Sequence, residues 1–233
     1  MQIARRLYRR LLHAVDNHGL RGILPQAATE FNDSPEPHPF DLAHGTDTSG
    51  HIDGAVLTPE NLHNTAYYAI SPSALKAALA MLPEAASGFE FIDLGCGKGR
   101  ALLIAAEIDF PRILGVELSS DLCQIAKSNC QRHPQIEVRH QDAATLTFPA
   151  TPLVVFLYHP FLAPVLRRVL KNLERANSHP TYLLYANNTY PKVIASFDFL
   201  QQVWDYSIPL SPEDAAADRH RITHERFTLY RAG

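Results

Sequence analysis

The segment FIDLGCGKGRALLIAAEI, from Phe91 to Ile108, decides the fold of this 233-residue chain. An apolar run that ends near Asp93 predicts a buried strand, and the apolar residues after the glycines recur at helical spacing. Between strand and helix stand Gly95, Gly97 and Gly99. Glycine accepts positive φ and close approach to its backbone, and a helix N-terminus presents unpaired N–H groups. The segment predicts a strand–turn–helix unit whose turn either holds a ligand or is glycine-rich for steric reasons alone.

The spacing of the glycines separates two kinds of ligand. The dinucleotide-binding fingerprint is G-x-G-x-x-G, which places a pyrophosphate on the helix N-terminus. In this chain Gly99 comes one residue early, and Arg100 occupies the position that the fingerprint gives to glycine. Asp93 precedes the loop, and its carboxylate would repel a pyrophosphate but attract an ammonium group. The turn therefore favours a ligand with an amino group over a dinucleotide.

Outward from this unit, apolar runs and helical patterns alternate. Strands are predicted at 89–94, 112–118, 136–141, 153–158, 181–187, 202–208 and 226–232, and helices from Ser71, at 98–108, 120–132, 162–174 and 192–200. Such alternation predicts a mostly parallel sheet covered on both faces, and the last two strands read as an antiparallel pair. We therefore predict an α/β, Rossmann-like, seven-stranded sheet with helices on both faces and an antiparallel last strand.

The N-terminal part of the chain is predicted to form an extension of the domain. Residues 1–66 are assigned to a basic helix and an irregular lid or linker, and residues 67–233 to the domain itself. The helix is predicted over residues 1–17, to pack on the domain, with an acidic partner or a membrane surface as alternatives. Residues 25–53 are predicted to be irregular, and HGTDTSG at 44–50 is either a series of turns or a lid over the site.

Acidic residues follow the next two strands, and ligands of such sheets bind beyond the carboxyl ends of strands. Glu117 ends the second strand, where a carboxylate can accept hydrogen bonds from both hydroxyls of a ribose. Asp142 follows the third strand, where it can take the exocyclic amine of an adenine beside the Ala143 backbone. The alternatives are a surface glutamate and an Asx turn or helix cap. With the glycine loop, the two residues describe a ligand with an amino-acid end, a ribose and an adenine, which is S-adenosylmethionine.

These motifs resemble a known family. DLGCGKGR, GVELS and QDA are similar to the first three motifs of class I S-adenosylmethionine-dependent methyltransferases, and the resemblance extends from Tyr67 to Gly233. HGTDTSG followed by HNTAYYAISPSAL resembles the leader of a bacterial group whose substrates are mostly undefined, although Ile70 stands where proline is common. More distantly, the arrangement resembles non-SET protein lysine methyltransferases. The resemblance implies S-adenosyl-L-methionine as the cofactor, bound by Tyr68, Ser71, Asp93, Gly95, Cys96, Gly97, Gly99, Glu117, Leu118, Asp142, Ala143 and Tyr158.

The loop after the fourth strand, YHPF at Tyr158–Phe161, is the candidate acceptor site. In the family this loop faces the methyl group, and relatives that methylate amines often carry Asn-Pro-Pro-Tyr/Phe there. This chain has His159 in the Asn position and a single proline, which argues against methylation of a nucleic-acid base. We expect His159 and Tyr158 to be catalytic, His159 as a proton acceptor or hydrogen-bond partner and Tyr158 as a wall that excludes water. The alternative is a histidine that satisfies backbone groups at the strand end.

The sequence thus predicts a methyltransferase that uses S-adenosylmethionine, with an amine of a protein lysine or a small molecule as the preferred acceptor. Two other functions stay open. One is a non-catalytic binding module that keeps the cofactor pocket, and the other is an NAD-dependent oxidoreductase, which the glycine spacing disfavours.

Composition limits the partners. A net charge of -3 and a pI of about 6.4 give no pull toward nucleic acid or an anionic membrane, so a nucleic-acid acceptor is not expected. No apolar run reaches the roughly 18 residues of a membrane span. Three cysteines without paired spacing favour buried thiols in a reducing, cytoplasmic compartment. No metal-ligand spacing is present, so no metal is expected, and the oligomeric state is not predicted.

Overall fold

The computed structural model describes residues 37–52, 65–218 and 221–233. The basic helix predicted at residues 1–17 lies outside the described residues. The strands are β1 His51–Ile52, β2 Tyr67–Tyr68, β3 Glu90–Leu94, β4 Ile113–Glu117, β5 Ile136–His140, β6 Leu153–Tyr158, β7 Thr181–Ala186, β8 Leu200–Pro209 and β9 His224–Ala232. The helices are α1 Pro39–His44, α2 Pro72–Ala80, α3 Arg100–Ala106, α4 Ser120–Cys130, α5 Ala163–Ala176, α6 Pro191–Ile194 and α7 Pro212–Ala217.

Seven of these strands form one sheet in the order β5-β4-β3-β6-β7-β9-β8. The strands from β5 to β7 in this order pair in parallel, whereas β9 is antiparallel to both β7 and β8. The predicted seven-stranded, mostly parallel sheet with an antiparallel end is confirmed. A separate antiparallel pair joins β1 to β2 and was not predicted from the sequence.

Side chains of the central strands alternate between two apolar layers, as the pleat requires. Phe91 and Phe156 lie in the layer that packs against α2 and α3, and Ile92 and Val155 lie in the layer that packs against α5. The strands are therefore buried on both faces, which explains their nearly continuous apolar sequences. The predicted helical cover on both faces is confirmed.

Two short helices were not predicted. The stretch expected to be irregular contains α1, because His38 caps it by accepting a hydrogen bond from the Phe40 amide, Pro39 stands at its first turn, and Gly45 ends it at φ 65°. Similarly, Ser211 caps α7. The helix predicted at 192–200 is shorter than expected and ends at Ile194, and β8 begins earlier than predicted, at Leu200.

The first turn of each central helix and the end of each parallel strand meet at one edge of the sheet. Because β9 runs in the opposite direction, its beginning lies at that same edge. Phe227 is paired with Ala186, the last residue of β7, so that residues 224–226 reach past the end of β7. This edge carries the site.

Candidate functional site

A cavity of about 440 Å³ opens at this edge, within the size range of small-molecule sites. It brings together eleven of the thirteen residues that the sequence analysis named for cofactor and catalysis. The residues that line it are Tyr68, Asp93, Gly95, Cys96, Gly97, Glu117, Leu118, Asp142, Ala143, Tyr158 and His159. The two that do not line it are Ser71, whose hydroxyl donates to Asp214 at 2.7 Å, and Gly99, which caps α3.

The glycine loop is in close contact with two other segments. A Cβ on Gly95 would lie 2.4 Å from the Pro160 side chain, and one on Gly97 would lie 2.2 Å from the Tyr67 ring. Both glycines also have positive φ, 82° and 54°. Steric contact therefore requires glycine at these two positions, while the backbone of the same loop forms one wall of the cavity.

Asp93 lies at the bottom of the cavity and is 3% exposed. Burial, and then the neighbouring Glu117 carboxyl, raise the pKa of Asp93 well above its ordinary value. No side chain or amide of the described residues donates a hydrogen bond to it. A buried carboxyl in this state favours a cationic ligand, which would supply both charge and donors.

Glu117 forms the next part of the wall and is held by the backbone. One carboxyl oxygen accepts a hydrogen bond from the Gly97 amide at 2.8 Å, and the other accepts one from the Ser119 amide at 2.8 Å. Burial raises the pKa of Glu117 although these amide bonds act to lower it. Each carboxylate oxygen accepts more than one hydrogen bond, so both oxygens keep capacity for a ligand.

Asp142 and Ala143 close the far end of the cavity. Asp142 Oδ1 accepts a hydrogen bond from the Ala144 amide at 2.8 Å and caps the short 3₁₀ turn Ala143–Thr145. The helix-cap alternative from the sequence therefore applies to one oxygen, and the residue still lines the cavity beside Leu118.

The YHPF loop also lines the cavity and contacts the glycine loop through Pro160. His159 has φ 44°, which is rare for a residue with a side chain, and its Nδ1 lies 2.5 Å from Thr189 Oγ1. Its carbonyl accepts a hydrogen bond from Thr65 Oγ1 at 2.6 Å. The strained backbone is thus fixed from two sides, and the ring is held at the cavity wall.

Tyr158 connects the cavity to a carboxyl that the sequence analysis missed. Its hydroxyl donates to Glu225 Oε1 at 3.2 Å, and burial together with that carboxyl raises the pKa of Tyr158 well above its ordinary value. The available signal was the alternation of β9, because Glu225 falls in phase with the buried Phe227 and Leu229. An acidic residue in the apolar phase of a strand marks an unusual position.

The segment from residue 37 to residue 50 covers the outside of the glycine loop. Asp41, 2% exposed, pairs with Arg100 Nη2 at 3.2 Å and accepts hydrogen bonds from Thr46, Thr48 and Ser49. The Tyr67 hydroxyl donates to the Thr48 carbonyl at 2.6 Å. The sequence analysis did not connect HGTDTSG with Asp41 or Arg100, because this ion pair joins positions 59 residues apart.

The three cysteines are free and buried, and Cys96 is part of the cavity wall. In the ranges 37–52, 65–218 and 221–233, no group of three His, Cys, Asp or Glu residues is arranged to hold a metal ion. No helix in these ranges is long and apolar enough to cross a membrane.

Comparison with known proteins finds a match to a methyltransferase domain. Residues 91–179 match the family model described as methyltransferase domain. TrmN from Thermus thermophilus is 14% identical and has a TM-score of 0.54, over 70% of this chain and 49% of that one. The N-methyltransferase NodS from Bradyrhizobium japonicum WM9, solved with S-adenosyl-L-homocysteine, is 13% identical with a TM-score of 0.51, over 69% of this chain and 85% of that one. A Listeria monocytogenes structure assigned to the S-adenosylmethionine-dependent methyltransferases is 13% identical with a TM-score of 0.52, over 70% and 98% of the two chains.

At these identities the solved structures show the fold, and the family model adds a match to the methyltransferase domain over part of the chain. No curated protein sequence matches the chain. The seven-stranded sheet thus has the fold of these methyltransferases, and part of the chain matches the methyltransferase domain, a combination that supports a class I S-adenosylmethionine-dependent methyltransferase. The cofactor of this class is S-adenosyl-L-methionine, which agrees with the resemblance seen in the sequence.

Proposed function

We propose that this methyltransferase holds S-adenosylmethionine in the cavity at the carboxyl edge of the sheet and transfers its methyl group to an amine. The observation that carries the proposal is the Asp93 carboxyl, which is buried in the cavity wall with no donor from the described residues. The ammonium group at the methionine end of the cofactor would supply the missing charge and donors.

The other cavity residues extend this assignment along the ligand. Glu117 would accept hydrogen bonds from the ribose hydroxyls with the capacity left by its two amide bonds. The second oxygen of Asp142 would take the adenine amine, beside Leu118 and the Ala143 backbone. The glycine loop and Cys96 would contact the methionine end, and Tyr68 and Tyr158 would form the outer wall. Ser71 and Gly99 act indirectly, by fixing α2 and α3.

Methyl transfer requires the protein mainly to align the two reactants and to exclude water from the site. When bound, S-adenosylmethionine supplies an activated methyl group that a nucleophile displaces in line, while the sulfur keeps the bonding electrons. The chain aligns the two reactants and excludes water with Tyr158 and Phe161. His159 would accept the proton that an amine must lose, in the tautomer whose Nδ1–H donates to Thr189 Oγ1.

Calorimetric titration with S-adenosylhomocysteine tests the cofactor assignment. We expect wild type to bind with a dissociation constant on the order of micromolar, and Glu117→Ala to bind at least about tenfold more weakly, because it loses hydrogen bonds to a charged acceptor. Glu137→Ala is the matched control, since this exposed glutamate of β5 pairs only with Arg139 and lies outside the cavity. NAD is the comparison ligand. Binding of NAD in place of S-adenosylhomocysteine, or no binding by a folded sample, would overturn the assignment.

Transfer of a labelled methyl group tests the acceptor. Purified protein is incubated with labelled S-adenosylmethionine and, in separate reactions, with a lysine-containing peptide mixture, small amines, hydroxylated metabolites and RNA. We expect label only on amines. Label confined to hydroxyl groups or RNA would refute the amine assignment, and cofactor binding without transfer to any fraction of a cell extract would favour the non-catalytic module.

A further inference from the structure

A buried carboxyl behind the acceptor end of the cavity has no role in the function proposed above. Glu225 is 2% exposed and lies near the beginning of β9, where this antiparallel strand reaches past the end of β7. Its register partner is Ile208 of β8. Glu225 alternates in phase with Phe227 and Leu229, whose side chains lie in the layer that also contacts Tyr158. Glu225 and Tyr158 therefore share one face of the sheet at its ligand-binding edge.

Among the described residues, only one of the two carboxyl oxygens of Glu225 has hydrogen-bond partners. Oε1 accepts the Tyr158 hydroxyl at 3.2 Å and the Ser71 amide at 3.4 Å. Oε2 is buried and has no hydrogen-bond partner among the described residues. A buried carboxyl with an unsatisfied oxygen costs free energy, so a purely structural role gives no reason for an acidic side chain here.

The charged groups that act most strongly on Glu225 are also acidic. Burial first, and then the carboxyls of Asp218 and Asp214, raise the pKa of Glu225 to about 8, against the lowering effect of the Ser71 amide and the Tyr158 hydroxyl. Asp214 is occupied by Ser71, by Ser73 and by His38 at 3.6 Å. No cation of the described residues is among the main influences on the pKa of Glu225. A cation that came near the pair would favour the charged form.

Among the described residues, the side chain that hydrogen-bonds to Glu225 is that of Tyr158, which is also part of the cavity wall. A phenol that donates its proton to a carboxyl has a more negative oxygen, and that oxygen still accepts a hydrogen bond from a third group. Tyr158 ends β6 beside β3, the strand that carries Asp93, and the loop after it contacts Gly95 through Pro160. Tyr158 thus lines the cavity together with Asp93 and Gly95, at the end assigned above to the methionine part of the cofactor.

We propose that Tyr158 and Glu225 form a cation-recognition pair, in which the Tyr158 oxygen receives an N–H of a positively charged acceptor amine and the Glu225 carboxylate supplies the compensating charge. This inference rests on the proposed function and deepens it, since it gives the reason for selecting an amine. Tyr158 is the contacting residue, and Glu225 is a positioning residue that acts through it. Neither the family resemblance nor the sequence patterns assign a role to Glu225.

The test needs no knowledge of the acceptor. Sinefungin is an analogue of S-adenosylmethionine that carries an amino group on a carbon in place of the methylated sulfur, so it places a cation at the position of methyl transfer. S-Adenosylhomocysteine has the same ends and no such cation. The ratio of the two dissociation constants, measured by calorimetry at pH 6.5, 7.5 and 8.5, reports the interaction of the cavity with a cation at that position.

We expect wild type to prefer sinefungin at pH 8.5 by about tenfold or more, as for a hydrogen bond to a charged group. The preference should decrease at pH 6.5, because protonation of Glu225 removes the compensating charge. In Glu225→Gln and Tyr158→Phe the ratio should fall to within about twofold of one and lose its pH dependence, and Glu225→Gln should bind S-adenosylhomocysteine as wild type does. Tyr206→Phe, on the exposed edge strand, is the control and should keep the wild-type ratio.

The outcomes separate the two proposals. If S-adenosylhomocysteine binds wild type and both variants but the sinefungin ratio is unchanged by either substitution, the cation-recognition pair is refuted and the cofactor assignment stands. If neither ligand binds folded wild type, the proposed function is wrong and the inference falls with it. Binding of S-adenosylhomocysteine by the variants shows at the same time that they are folded.

Discussion

Gly97 shows how one residue can serve the shape of the site. Its φ is 54°, and a Cβ at this position would lie 2.2 Å from the Tyr67 ring, which in turn is tied to Thr48. Gly45 provides a comparison, because its φ is 65° but a Cβ there would have no atom within 4 Å. The two positions share the backbone requirement and differ in the contact.

We predict that Gly45→Ala lowers the free energy of unfolding by about 1 kcal/mol, the cost of a left-handed conformation for alanine. Gly97→Ala should cost about 2 kcal/mol or more beyond that, because the ring must move as well, and should weaken binding of S-adenosylhomocysteine. Urea unfolding and calorimetry measure both effects. Equal losses of stability in the two variants would show that the Tyr67 ring does not constrain Gly97.

For single residues, the sequence predicted the site correctly where an acidic side chain stands near the end of a parallel strand. Asp93 and Glu117 end consecutive parallel strands, so parallel pairing alone brings them to one edge, and the structure places both in the cavity wall. Glu225 could not be assigned in the same way, because its contact with Tyr158 depends on β9 lying between β7 and β8. The order of the strands along the chain does not reveal that β9 lies between β7 and β8 in the sheet.

The segment from residue 37 to residue 50 acts as one element because a single carboxylate organises it. Burial alone would raise the pKa of Asp41, but the hydroxyls of Ser49, Thr48 and Thr46 lower it below its ordinary value. The side chain is therefore charged beside Arg100, which is itself 5% exposed. Loss of this carboxylate would leave a buried guanidinium without its partner.

We predict that Asp41→Ala costs about 3–5 kcal/mol, as is found when one partner of a buried ion pair is removed. The amides of residues 46–49 should then exchange hydrogen faster, because Thr48 loses its bond to Asp41 Oδ1. Asp47→Ala is the control on the same segment, since Asp47 is 68% exposed and its pair with Lys98 contributes little. Hydrogen exchange followed by mass spectrometry measures both variants. Unchanged exchange in Asp41→Ala would mean that the segment is held by other contacts.

Element boundaries were predictable where local signals are strong and uninterrupted. β6 was predicted with the bounds that the structure shows, because its six residues are all apolar or aromatic. The short helices α1 and α7 were missed, since each is only six residues long and has too few turns to show periodicity. The local signs of a start were a capping residue followed by proline, His38 with Pro39 and Ser211 with Pro212.

Across the whole molecule, the stability of the fold should depend on the buried acidic groups of the cavity edge. Burial raises the pKa of Asp93, of Glu117 and of Glu225, the last to about 8. In the unfolded chain these groups lose their protons at ordinary values, whereas in the folded protein they retain them to higher pH. The unfolded state therefore binds fewer protons between these values, and the free energy of unfolding decreases as pH rises.

The variant Glu225→Gln isolates the contribution of Glu225 to the pH dependence of the free energy of unfolding. The stability linked to Glu225 is fully present below its unfolded pKa of 4.5 and is lost as pH rises through the folded value of about 8. A shift of this size corresponds to at most roughly 5 kcal/mol. We therefore predict that the variant and wild type are nearly equal in stability at pH 5 and that the variant becomes progressively more stable up to pH 8.5.

Urea unfolding at several pH values measures this difference, with Glu137→Gln as the control. Glu137 is exposed, and the Arg139 side chain lowers its pKa, so its substitution should change stability by an amount that stays constant from pH 5 to pH 8.5. A difference between Glu225→Gln and wild type that is equally flat would mean that Glu225 does not change its charge in this range. The carboxyl would then be unable to respond to a cation in the cavity, so this measurement and the sinefungin ratio must agree for the cation-recognition pair to hold.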